Sequence, residues 1–201
     1  EPPARTVFLL ISSAAGRLAA TIRSRCRRLD LAPLGSGDLR AAAEAALAAA
    51  GEPLADGADW PRLERLARGS VRAVLTLGRT GGIKLHETAA AILVGLPRID
   101  WQQAHALADE LTGSGAEQRF ETFFDMLLDQ IAGLVRAGAA GSSDPEIGRL
   151  AARLVRPHAL ASWAELWETV VREKADMLAL NLDRKALVLE TLARLEARSR
   201  G

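Results

Sequence analysis

The chain has no tyrosine and only one cysteine in 201 residues. That lone thiol, Cys26, excludes an internal disulfide and any zinc site built on several cysteines, and it suits the reducing cytoplasm in which we expect the protein. Aromatic residues make up 4%, too few for the stacking platforms that hold single-stranded nucleic acid. No apolar stretch approaches the roughly 20 residues of a membrane-spanning helix, and the start lacks the order of a signal peptide, so no membrane partner is expected. An excess of either charge is missing as well. Lys and Arg total 26 against 25 Asp and Glu, a net charge of +1, which leaves no general attraction to polyanions and makes any basic site a local one. The phosphate-cradling pattern G-x-x-x-x-G-K-[ST] is absent. Nucleotide hydrolysis by this chain alone is therefore not expected, and neither is a cofactor bound by it alone. Nor is there a fixed-period repeat, which counts against a solenoid.

What is present is mainly helical, with strand patterns confined to the beginning. Pro2-Pro3 reads as an extended entry. Thr6-Val7-Phe8-Leu9-Leu10-Ile11 is a continuous apolar and β-branched run, the pattern of a strand covered on both faces of a sheet. Ser12 and Ser13 follow at its carboxyl end, where hydroxyls of an open α/β sheet can face a ligand crevice, although serines there also serve as plain turn residues. A short helix is expected over Leu18 to Ile22. A second strand is expected over Arg27 to Leu31, where Arg28-Leu29-Asp30-Leu31 alternates polar and apolar. Too few partner strands follow. The rest of the sheet is therefore expected upstream of Glu1, and the chain, which does not start with Met, reads as a fragment or processed product.

Pro33 and Gly35-Ser36-Gly37 mark a first boundary. Beyond it, Asp38 is a candidate N-cap for a helix to Ala50 that Gly51 closes, and Asp59 opens a second with Pro61 in its first turn. Ser70 caps a third, from Val71 to Leu77, stopped by Gly78. After the break at Gly81-Gly82, helices are expected from Lys84 to Val94 and, capped by Asp100, from Trp101 to Leu111. Ser114 with Glu117 reads as a capping box ahead of the periodic run Phe120, Phe123, Phe124, Leu127, Leu128, Ile131, Leu134 and Val135. Asp144-Pro145 starts a helix to Val155, and Ser162 with Glu165 reads as another capping box. Asn181 suggests a break before a last amphipathic helix from Arg184 to Arg194.

The one dense cluster of charge is Arg23-Ser24-Arg25-Cys26-Arg27-Arg28. A guanidinium stays charged at any relevant pH, and its planar fork of donors matches phosphate oxygens. At a helix end beyond a sheet's crevice, Arg25 can stabilise the charge that develops on a phosphoryl group held by a neighbouring molecule. The competing reading is a solvated arginine cluster beside a strand. His86, His105 and His158 lie on different expected helices without metal-ligand spacing, so no metal site is expected. Cys26 has no histidine nearby in sequence, and a packed small residue is its simplest role.

The series Phe8-Leu9-Leu10-Ile11-Ser12-Ser13, then Leu18, then Thr21-Ile22-Arg23-Ser24-Arg25-Cys26 resembles the sensor-1 strand and Ser-Arg-Cys motif of bacterial clamp-loader ATPases of the AAA+ class. Gly69-Ser70-Val71-Arg72-Ala73-Val74-Leu75 resembles the sensor-2 helix of that family's lid. Asn181-Leu182-Asp183-Arg184-Lys185 and the following helix are similar to the end of delta-prime-type subunits of DNA polymerase III. One departure is Ala14-Ala15, where family members often carry Asp or Asn followed by Pro.

The resemblance implies the end of an AAA+ core over 1–34, a three-helix lid over 35–82 and a helical collar for oligomerisation over 83–201. It implies a non-catalytic clamp-loader subunit that helps load the sliding clamp onto primed DNA. In it, Arg25, with Ser24 and Cys26, would be an arginine finger acting in trans on ATP-Mg bound by a neighbour. Ser12, Ser13 and Arg72 would occupy sensor positions toward nucleotide. The partners implied are gamma/tau and delta subunits through the collar, the sliding clamp, and primer-template DNA within the complex. Two alternatives remain: an ATP-hydrolysing gamma/tau-type subunit, and a helical interaction module without nucleotide chemistry.

Overall fold

A computed structural model describes residues 5–12, 14–52 and 59–200. Two units make up the chain, Glu1–Pro33 and Leu34–Gly201.

The first unit corrects the expectation of strands. Its described residues contain one turn of 3-10 helix, Ala15–Arg17, and the short helix α1, Ala20–Arg23; no strand occurs among them. In the run expected as a buried strand, Val7 is 82%, Leu9 86% and Ile11 99% exposed. Leu29 and Leu31, in the second expected strand, are as open. The cause is hydrogen bonding. A helix satisfies its backbone from within, whereas a strand takes its partners from a neighbour, and among the described residues neither segment is paired with one.

The second unit is a series of helices: α2 Ser36–Ala50, α3 Trp60–Ala67, α4 Val71–Thr80, α5 Gly82–Gly95, α6 Trp101–Thr112, α7 Glu117–Ala140, α8 Pro145–Leu154, α9 Leu160–Leu180 and α10 Arg184–Arg200. Four starts follow their expected caps. The side chains of Asp59, Ser70, Asp100 and Asp144 accept from the backbone N–H groups of Arg62, Ala73, Gln103 and both Glu146 and Ile147, which satisfies donors that a first helical turn leaves open. Gly51 closes α2 in the left-handed conformation at φ 67°.

Elsewhere the local signals mislead. Asp38 sits inside the first turn of α2, which already starts at Ser36. Gly78 does not stop α4. The helix runs on to Thr80, and Gly81, at φ 67°, supplies the left-handed closure. Neither expected capping box forms: α7 starts at Glu117 without a side-chain cap, and its carboxylate pairs with Arg184 at 3.0 Å instead. Ser162 lies within α9 and donates to the carbonyl of Ala159 at 2.8 Å.

Two cores result. Leu39, Ala43, Leu63, Ala67, Val74 and Leu77 join α2, α3 and α4 into a small bundle, with Trp60 at its edge under the guanidinium of Arg40. The larger core is built around α7, which packs against α5, α8 and α9, while α10 packs against α6 and α9. Phe120, Phe123 and Phe124 lie fully buried along α7; the ring centroids of Phe120 and Phe124 are 4.7 Å apart and Phe123 meets Phe124 nearly edge-on. Trp163 is also fully buried, and Trp167 donates its indole N–H to the carbonyl of Leu128 at 3.0 Å. Trp101 stands beside His105 at the rim.

The small bundle meets the large one at the α4–α5 junction. Arg119 of α7 donates from Nη1 to the carbonyl of Thr80 at 2.7 Å, and its Nη2 pairs with Glu110 of α6. Arg62 reaches Glu87 and Arg68 reaches Asp129, each at 2.6 Å. Burial lowers the pKa of His86 at the same junction, against the opposing fields of Asp129 and Glu87; Arg62 and Arg65 add to the lowering.

Candidate functional site

The Ser-Arg-Cys run leaves the end of α1. Arg25 follows the helix by two residues and is exposed; its Nη1 donates to the carbonyl of Thr21 at 3.0 Å. Ser24 donates its hydroxyl to the same carbonyl at 3.2 Å. Both side chains thus cap the final turn of α1, where unpaired carbonyls favour donors and positive charge. The cap occupies one of the five N–H donors of Arg25, and no carboxylate pairs with it among the described residues. A fork so placed can still bind an anion bidentately. Cys26 presents a free, exposed thiol.

Around it the charge is one-sided. Arg5, Arg17, Arg23, Arg25, Arg27 and Arg28 face Asp30 as the sole acidic residue among the described residues of this unit, and Asp30 pairs with Arg28 at 2.7 Å. Ser12 is exposed, and its hydroxyl accepts from the backbone N–H of Ala14 at 3.2 Å. That is a turn contact. Ser13 lies outside the described residues.

With this geometry in view, one comparison bears on the chain. It is similar to DNA polymerase III subunit delta' of Escherichia coli (strain K12). The two are 27% identical over 206 residues, a match that takes in 98% of this chain and 56% of that protein. The chain therefore spans about half the length of the curated relative it matches. No protein-family model matches the chain, and no solved structure does.

Arg72, the other arginine singled out from the sequence, belongs to the second unit. It sits in the first turn of α4, exposed, two residues after the Ser70 cap. His105 and His158 are exposed and His86 is half-buried. Among the described residues no three His, Cys, Asp or Glu side chains gather as a metal site would require.

Two open grooves mark the larger bundle. One, about 580 Å³, runs between the start of α9 and the end of α10 past His158, Glu165, Arg194 and Arg198. The other, about 400 Å³, lies between α7 and α9 beside Trp167, Arg136 and Lys174. Within the first, Arg194 is committed to Glu173 and Glu190; the hydrogen bond to Glu173 is the main cause of its raised pKa. No helix is long and apolar enough to cross a membrane, among the described residues.

Local sequence signals could not point to Arg119. Its acceptor, the carbonyl of Thr80, is 39 residues away in the chain, and an arginine three positions into a helix resembles many solvent-facing ones.

Proposed function

We propose that the chain works as part of a clamp-loader subunit of the delta-prime type, in the cytoplasm, helping to place a sliding clamp on primed DNA. The observation that carries this reading is the similarity to subunit delta' across nearly the whole of this chain. Within that similarity, Thr21-Ile22-Arg23-Ser24-Arg25-Cys26 resembles the Ser-Arg-Cys motif, which gives the reading a specific residue to test. In this reading the first unit closes an AAA+ core, the small bundle is the lid, and the larger bundle is the collar that binds gamma/tau and delta subunits.

Arg25 then acts in trans. ATP-Mg belongs to the neighbouring subunit, and the guanidinium keeps its contact with the Thr21 carbonyl through one N–H while its free donors meet oxygens of the transferred phosphoryl group. Charge stabilisation of this kind costs little reorganisation when the donor fork is already held at the end of a turn. Ser24 and Cys26 shape that turn. Ser12, Ser13 and Arg72 take sensor positions toward nucleotide, and the chain itself performs no hydrolysis. The remaining arginines of the first unit line the side nearest the DNA.

The test is Arg25→Ala in the full-length subunit of the reconstituted loader. At the site that Arg25 serves, the hydrolysis step should slow by roughly 10³-fold or more, and DNA-stimulated ATP turnover by the whole complex should fall. Assembly, followed by size-exclusion chromatography, should be unchanged. Undiminished turnover in an intact complex would overturn the assignment of Arg25.

A further inference from the structure

Between the two helical bundles the chain passes through Gly81 and Gly82, the pair at which the sequence marks a break between helices. The break is there, and its surroundings are tightly packed. Gly81 adopts φ 67° while its N–H closes α4 on the carbonyl of Leu77, and its own carbonyl then accepts from Leu85. Gly82 is buried, and a Cβ there would stand 2.3 Å from Leu77 Cδ2 and 3.0 Å from Leu77 Cα. The first turn of α5 is therefore seated directly on the last turn of α4. Glycine is present at both positions for conformation and close approach.

We propose that this junction is a locked joint, with Arg119 as the residue that holds it. The last carbonyls of a helix lack partners within it, and the carbonyl of Thr80 is one of them. Thr80 is 2% exposed and its hydroxyl is turned to Thr76. Arg119 supplies the missing donor at 2.7 Å and places positive charge at the negative end of α4. Its second nitrogen pairs with Glu110, so one guanidinium ties α4, α6 and α7 together.

Removing it strands a secluded acceptor, which costs more than losing an ordinary surface contact. Ile83 and Met126 pack on the small core from the far side of the joint. The pairs Arg62 with Glu87 and Arg68 with Asp129 cross it too, but they are exposed and singly weak. The two bundles consequently move as one lever, whatever assembly the chain joins, so the joint and the clamp-loader reading fail separately.

Paired spin labels on the full chain test this, in a Cys26→Ser background with Ala45→Cys on α2 and Glu168→Cys on α9. The parent should give one narrow distance distribution. Arg119→Met should lose that narrow peak to a broad one while helical content stays constant. Glu110→Gln, which leaves the bond to Thr80 in place, should keep it. Gly82→Ala should shift the mean distance, because the new methyl displaces Leu77. A broad parent distribution, or an Arg119→Met distribution as narrow as the parent's, would overturn the proposal. The parent measurement decides even if a variant fails to fold.

Discussion

Up to Pro33 the chain buries no side chain among its described residues, whereas from Leu34 onward it encloses two apolar cores. Hydrophobicity does not separate these regions, since Val7 to Ile11 is as apolar as any stretch of α7. The difference lies in where the partners are. The helices of the second unit bury apolar stripes against one another, while the strand-like run at the start leaves its apolar side chains exposed. Foldability thus depends on whether the complement of a pattern lies within the same chain.

Three experiments press on this contrast. The largest effect is expected from Phe124→Ala in the first half of α7, where truncating a fully buried ring costs about 3–5 kcal/mol. Urea unfolding followed by circular dichroism measures it.

A middling effect is expected from pH. Burial disfavours the charged form of His86, so its folded pKa lies below the ordinary 6.5. The unfolded chain then binds the proton first. The contribution of His86 to stability should be complete above about pH 6.5 and decline as pH falls through the interval down to the lowered folded value. His86→Gln should flatten that part of the profile, and an unchanged slope would show that other groups set it.

The smallest effect is expected at Ile11, which is 99% exposed. Ile11→Ser should leave the unfolding midpoint of this chain within about 0.5 kcal/mol of the parent. A loss approaching that of Phe124→Ala would erase the distinction between the two regions.

The same contrast explains what could be read in advance. Asp59, Ser70, Asp100 and Asp144 cap their helices as expected because a cap is completed within three residues of itself. The apolar stripe of α7 was legible for the same reason, as periodicity needs no knowledge of the partner. Val7 to Ile11 misled because a strand's hydrogen-bond partner lies outside the run itself. The turn that Ser24 and Arg25 form on Thr21 is short-range, but a phosphate facing Arg25 would come from another molecule, so the motif was visible only through resemblance. The tie from Arg119 to Thr80 was invisible, and the glycines it braces showed only as a break between helices.

The placement of the tryptophans has a practical consequence. Trp60 belongs to the small bundle, and Trp101, Trp163 and Trp167 belong to the large one. With tyrosine absent, near-ultraviolet fluorescence reports almost wholly on those two bundles and is silent for the unit that carries Arg25. That unit holds the single exposed thiol, Cys26. A dye on Cys26 and the intrinsic indole signal would therefore give two optically independent channels, one for each unit, in a single sample.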